Sequence, residues 1–187
     1  MHLRQHFEES AQLAQAVLKD EGFLLAMAEG ANLLIQTLES GNKIMACGNG
    51  GSMCDAMHFA EELSGRYREN RKPFAAMSLS DPSALTCIGN DFGFDQVFAR
   101  QTAALGQAGD VLLAISTSGH SANVLAAAKE AKRLNMHVVA LTGKDGGALA
   151  GLADVEVRVP WYGYADRIQE VHIRSIHAWI DAIESAL

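Results

Sequence analysis

The sequence predicts an α/β fold: a three-layer sandwich with a five-stranded parallel sheet, preceded by two N-terminal helices, in one domain of 187 residues. Three observations predict it. From Lys43 onward short apolar runs alternate with helical stretches, the pattern of parallel strands joined by crossover helices. Glycine- and serine-rich turns follow several of the runs directly. Two helical stretches come before the first run, and the 49% hydrophobic content suits one sizeable core.

The first forty residues read as two helices. "HFEESAQLAQAVLKD" spaces Phe7, Leu13 and Val17 loosely along one side. "GFLLAMAEGANLLIQTLES" has Phe23, Met27, Leu34 and Leu38 among its apolar positions, and Gly41 is the stop signal. Their apolar faces either cover the sheet or pack against another subunit. Strands are expected at 43–47, 75–79, 110–116, 137–143 and 154–160. Helices are expected at 53–65, about 82–105 in two pieces, 122–134, a short one near 147–152, and about 165–186. In such sheets ligands bind beyond the carboxyl ends of the strands, so the residues after each strand carry the functional reading.

Composition excludes some classes first. The net charge of −7 argues against nucleic acid as the main partner, because phosphate-backbone binding needs a basic face. The dense basic stretch "GRYRENRK" contains a glutamate and reads as a solvated loop. No apolar stretch reaches the ~20 residues of a membrane span, and the N-terminus has no signal-peptide pattern. Three sparse cysteines, Cys47, Cys54 and Cys87, fit reduced thiols in a cytoplasm.

"GNGGS" follows the first strand. As a dinucleotide fingerprint it fails: Gly48 and Gly50 fit, but Met53 holds the third glycine position. The segment reads equally as a phosphate cradle, with Gly50, Gly51 and Ser52 leading into a helix, or as a plain turn with Ser52 at its N-cap. "STSGHS" follows the third strand and puts Ser116, Thr117, Ser118 and Ser121 ahead of a helix. A cap accounts for Ser121 alone. Four hydroxyls at a helix N-terminus favour a dianionic phosphate, and Ser52 can join from the neighbouring strand. "GKDGGALAG", after the fourth strand, carries no assignment.

Proton chemistry has two sources. On the helix after "GNGGS", His58 and Glu62 are four apart and point the same way, beside the apolar side formed by Ala56, Phe59, Ala60 and Leu63. Asp55 lies near them. Glu61 points roughly 100° away, onto the more polar side, so Glu62 is the better general base. A surface i,i+4 pair is the plainer alternative. The last helix carries His172, within the apolar arc as a core or interface histidine, and His177 at the arc's edge in line with Gln169 and Ile173. Spacing alone does not rank the two histidines, and it does not call for a metal.

The segments "CGNGGSMCDAMHFAEELSGRYRENR", "GNDFGF", "AISTSGHSANV", "LTGKDGG" and "GYADRIQEVHIRSIH" together resemble the bacterial phosphoheptose isomerases, a family of the sugar-isomerase (SIS) domain proteins with a flavodoxin-like sheet. The resemblance runs from about Gly41 to His177, and the N-terminal helices fit its length pattern. It implies conversion of sedoheptulose 7-phosphate to D-glycero-D-manno-heptose 7-phosphate, the entry to the heptose of lipopolysaccharide. It implies a homotetramer with sites between subunits, the helices of residues 1–40 packing in the oligomer. It makes Glu62 the base at carbon and His177 the partner that moves the oxygen proton. It implies one zinc per subunit on His58, Glu62, Gln169 and His177. The phosphate would sit on Ser52, Ser116, Ser118 and Ser121 with Thr117 close by, and Asn49, Asp91 and Asp166 match sugar-contacting positions. Two residues depart from the pattern: His120, where asparagine is common, and Met53, where some relatives have histidine.

Two rival readings remain. One is a non-catalytic SIS module that binds sugar phosphates in transcriptional regulation or acts in replication initiation. It would need no base and acid pair, which the presence of both Glu62 and His177 disfavours. The other is an isomerase of pentose or hexose phosphates.

Overall fold

The computed structural model describes residues 2–187. Helices α1 (Leu3–Lys19) and α2 (Glu21–Glu39) come first. Asp20 caps α2 by accepting from the Phe23 N–H. Gly41, at φ 79°, ends it: the N–H groups of Gly41 and Asn42 close back on the carbonyls of Leu38 and Thr37. Then β1 (Ile44–Gly48), α3 (Gly51–Ser64), β2 (Ala76–Ser78), α4 (Pro82–Phe92) and α5 (Ala99–Leu105) follow. The chain continues through β3 (Val111–Ile115), α6 (Ala122–Arg133), β4 (His137–Gly143), α7 (Gly147–Ala150), β5 (Val155–Val159) and α8 (Ala165–Ala186). Every predicted strand and helix is present, though α3 begins at Gly51 rather than 53.

All pairings in the sheet are parallel, in the order β2-β1-β3-β4-β5. The chain runs outward in opposite directions from the β1–β3 pair. Beyond the carboxyl ends of those two strands the connections therefore diverge and leave a crevice. Both polar loops found in the sequence emerge there.

Alternate residues of β1 enter opposite layers. Ile44 and Ala46 face a core shared by α1, α2, α3 and α8; Met45 and Cys47 face one built with α6. So the first two helices cover one face of the sheet within the chain. Leu13 is buried and Val17 partly so, whereas Phe7 is 75% exposed, off the face the spacing gave it. None of the residues of α4 is buried. Among the described residues no helix is long and apolar enough to cross a membrane.

His172 is the core histidine of α8. It is fully buried, its Nε2–H donating 2.9 Å to the Thr142 carbonyl, while Nδ1 has no partner among the described residues. Burial lowers its pKa from 6.5 to about 4, the hydrogen bond to Thr142 working weakly the other way. Between those values the unfolded chain binds a proton that the folded chain refuses. The contribution to stability is full above about pH 6.5 and is lost as pH falls toward 4, on the order of 3 kcal/mol. His172→Gln keeps a donor and removes the titration. Urea midpoints from pH 7 to pH 4.5 should therefore fall less steeply in the variant; parallel curves would place the acid sensitivity elsewhere.

Candidate active site

Gly50, not Ser52, takes the N-cap position of α3, at φ 56°. Ser52 lies inside the first turn and is only 4% exposed. The N–H groups of Ser52 and Met53 close onto the carbonyls of Asn49 and Gly50, so this turn keeps fewer free backbone donors than its sequence suggests. After β3, Ser116 is buried and its hydroxyl lies 3.0 Å from that of Ser121. Ser121 occupies the N-cap of α6, yet its hydroxyl caps no backbone group among the described residues. The plain capping account therefore fails at this loop. The Ser118 hydroxyl accepts from the His120 N–H at 3.2 Å, and the His120 side chain is exposed. Thr117 and Ser118 are partly exposed, so the loop offers hydroxyls at a helix N-terminus, the setting that favours an anion.

The two loops are joined. Asn49 and Asn123 exchange side-chain amide hydrogen bonds of 2.8 and 2.9 Å. Asn123 is 2% exposed, and its oxygen also accepts from the Val124 N–H. The Asn49 amide is thus committed in part to holding "GNGGS" against "STSGHS", which leaves one N–H and one lone pair for a ligand. The unassigned "GKDGG" stretch braces the serine loop from behind. Gly146 and Gly147 pack on the backbone of Ser118 and Gly119, and the Leu149 N–H donates to the Gly119 carbonyl at 3.0 Å.

Beside the loops, α3 and α8 bring together residues 119 apart in sequence: the Nε2 atoms of His58 and His177 are 2.9 Å apart. Glu62 Oε1 is 3.6 Å from His58 Nε2, with its side chain 17% exposed. Glu61, expected on the polar side, has its carboxylate 3.1 Å from His58 Nδ1. That carboxylate is at ion-pair distance from Nδ1, while Nε2 on the same ring faces His177. Tyr67 stacks on the other side of His177, with ring centroids 5.9 Å apart. Gln169 lies against Gly51: a Cβ there would come within 2.6 Å of the amide nitrogen. Burial pushes the Asp55 carboxyl up to about 6, against the opposing pull of His58, and one of its oxygens has no partner among the described residues.

Comparison with known proteins decides the family. The SIS domain profile matches residues 5–143. A phosphoheptose isomerase of Aeromonas hydrophila is 56% identical over 185 residues, covering 99% of this chain and 96% of that protein. One from Edwardsiella ictaluri is 54% identical over the same coverage. The structure of the phosphoheptose isomerase of Neisseria gonorrhoeae superimposes with a TM-score of 0.92 at 48% identity, covering 99% of this chain and 98% of that one. The chain belongs to the phosphoheptose isomerase family.

Against that family assignment, the structure brings together His58, Glu62 and His177, and separately the hydroxyls of Ser116 and Ser121. Gln169 meets Gly51 on the rim between the two groups. Asp166, in the first turn of α8, is exposed and engages the Arg167 backbone N–H. Asp91 is not drawn into the cluster: it lies exposed on α4, its carboxylate beside Asn90 and Cys87. Asn123, Glu61 and Tyr67 are the contributors that sequence reasoning did not select. For Asn123 and Glu61 the available signal was position: one follows the serine loop and the other lies three residues from His58.

A phosphoheptose isomerase with zinc would need donors converging on one point. His58, Glu61 and Glu62 place ligand-type atoms within 4.8 Å of one another, and His177 Nε2 reaches the same His58 nitrogen. Two imidazoles and a carboxylate, with a second carboxylate on the far ring nitrogen, are a donor set that fits zinc.

Proposed function

We propose that the chain isomerises sedoheptulose 7-phosphate to D-glycero-D-manno-heptose 7-phosphate through an enediol. The observation that carries this reading is the placement of Glu62 beside the paired His58 and His177 rings, next to a serine loop whose Ser121 hydroxyl, paired with that of Ser116, caps no backbone group among the described residues. The relatives' name agrees with it.

Ser52, Ser116, Ser118 and Ser121 hold the phosphate, with Thr117 close by, which tethers the ketose so that its other end reaches Glu62. The Glu62 carboxylate takes a proton from C1. The C–H electron pair becomes the C1–C2 double bond and the carbonyl π pair moves onto O2, which His177 protonates. His177 then removes the O1 proton, C1–O1 becomes the carbonyl, and Glu62 returns its proton to C2. One carboxylate thus serves both carbons and one imidazole both oxygens. Asn49, Asp166 and Gln169 orient the sugar. Zinc, one per subunit on His58, Glu62, Gln169 and His177, would supply Lewis-acid stabilisation of the oxygen charge.

The assembly we infer is a homotetramer. Face α4, with no buried residue and with Phe92 and Phe94 exposed beside it, meets a neighbouring subunit and carries Asp91 toward that subunit's site. The outer side of α1, with Leu3, Phe7 and Leu18 exposed, packs in the same oligomer. The product would feed the heptose of lipopolysaccharide in the cytoplasm.

The test is incubation with sedoheptulose 7-phosphate in D₂O, with and without a chelator. Deuterium should appear at C2 of the aldose, with chelator reducing the rate. Neither exchange nor product, under any metal condition, would reject the reading in favour of a sugar-phosphate-binding module. Faster turnover of a pentose or hexose phosphate would reassign the substrate.

A further inference from the structure

Tyr67, Arg71 and Glu184 have no place in the chemistry above, yet they connect the two helices that carry it. Helix α3 ends at Ser64, and the last carbonyls of a helix have no partner within it. Arg71 supplies one. Its Nη2 donates to the Glu62 carbonyl at 2.7 Å and its Nη1 to the Leu63 carbonyl at 2.8 Å. Its Nε donates to Glu184 Oε1 at 3.0 Å, and the two side chains are 10% and 8% exposed. The other Glu184 oxygen accepts from the backbone N–H groups of Arg68 and Glu69, at 3.1 and 3.3 Å. Arg68 Nη1 pairs with Asp181 at 2.6 Å. The basic stretch read as a solvated loop is therefore a fastened strap.

The strap runs along one face of α8. His177, Asp181 and Glu184 are spaced by four and three residues, so they share that face. They meet Tyr67, Arg68 and Arg71 in the same order. One end of the strap holds the ring of His177. The other holds the backbone carbonyl of Glu62 itself. Buried ion pairs contribute little net stability, because desolvation offsets their attraction. What a multiply bonded guanidinium–carboxylate pair supplies is fixed geometry.

We propose that this strap sets the reach and ring angle of His177 toward His58 and Glu62, making Tyr67, Arg71 and Glu184 positioning residues for proton transfer. The proposal rests on the reading of Glu62 and His177 as the proton-transfer pair. The contacts of the three residues run to α3 and α8, away from the serine loop. Disturbing them should slow the chemistry and spare phosphate anchoring.

The test uses the full chain with Y67F, Y67L and R71K, each checked for folding by circular dichroism and melting. Wild-type turnover of sedoheptulose 7-phosphate is measured first. Misplacement of a catalytic group by about 1 Å can cost on the order of 100-fold. Y67L and R71K should lose roughly ten- to a hundred-fold in kcat, with KM within about twofold of wild type. Y67F keeps the ring and should restore most of the rate. A second readout does not depend on activity. In protein labelled with ¹⁵N-histidine, the His177 ring resonance, identified by its loss in H177Q, should move in both Y67L and R71K. Retained kcat in folded Y67L, a KM rising in step with the loss of kcat, or an unmoved His177 resonance would overturn the proposal. If R71K does not fold, Y67L decides. If the wild type turns over no sugar phosphate, the functional reading fails and the ring resonance alone decides whether the strap sets His177.

Discussion

Glu62→Gln is expected to abolish isomerisation while sugar-phosphate binding survives. The substitution keeps the shape of the side chain and its place on α3, and removes the lone-pair basicity that lifts a proton from carbon. A positioned general base is worth roughly 10²–10⁴ in rate, and here one carboxylate serves both the C1 and C2 steps, so the loss should lie at or above the upper end. Binding depends on a different set of groups, the hydroxyls of the "GNGGS" and "STSGHS" turns, whose frame is the Asn49–Asn123 pair and not α3's outer face. Calorimetric titration of the variant with sedoheptulose 7-phosphate should thus give a Kd within a few-fold of the wild type. Glu61→Gln is the informative neighbour. Glu61 touches His58 Nδ1 and no other group of the cluster, so its loss should slow turnover far less. A Glu62→Gln enzyme with kcat within tenfold of wild type would remove Glu62 as the base. Equal losses in the two variants would point to an electrostatic role shared by both carboxylates.

Much of this arrangement is legible in the sequence because it is local. The strands and helices follow from runs and periods, and the alignment of His58 with Glu62 follows from a spacing of four. What joins α3 to α8 is not local. His177 and His172 both lie near the apolar arc of one helix, and nothing in that helix says which will find a partner. The fold decides: His172 is buried against the Thr142 carbonyl, and His177 faces His58. Glu61 lies on the exposed side as expected, yet its carboxylate reaches His58. Helical angles fix where a Cα lies, while a glutamate has enough rotatable bonds to bring its carboxylate back to the ring three residues before it. The basic stretch is the exposed loop its composition suggests at Arg66, Arg68, Glu69, Asn70 and Lys72, but composition counts charges without saying which carbonyls lack donors. Arg71 is drawn in, its side chain 10% exposed, because α3 ends within its reach. Asp91 stays apart from the cluster, exposed on α4 beside Asn90 and Cys87, and nothing local in its helix signals that separation.

Gly119→Ala should disable phosphate binding more thoroughly than loss of any single loop hydroxyl. Gly119 sits at φ 66°, in the left-handed region, where a Cβ costs roughly 1–2 kcal/mol. Space is the larger problem. A Cβ there would overlap the Gly146 carbonyl and come within 2.9 Å of the Gly147 nitrogen, all backbone atoms that cannot rotate aside. Relief requires the serine loop and the "GKDGG" turn to separate. That breaks the Leu149 N–H bond to the Gly119 carbonyl and shifts Ser118 and Ser121 relative to buried Ser116. Overpacking of this kind adds about 1–3 kcal/mol, for a total of about 2–5 kcal/mol. At about 2–4 °C per kcal/mol for a chain of this size, melting should fall by roughly 4–20 °C. KM for the sugar phosphate should rise by about two orders of magnitude, and inorganic phosphate should cease to compete. Gly146→Ala makes the contrast. Its φ of 82° carries the same conformational cost, but its Cβ would meet the side-chain ends of Glu156 and Arg158, which can swing away. That variant should lose stability while holding phosphate nearly as well as the wild type. If Gly119→Ala keeps the wild-type KM, the two loops are not clamped backbone to backbone, and phosphate is gripped without the brace that their contact provides.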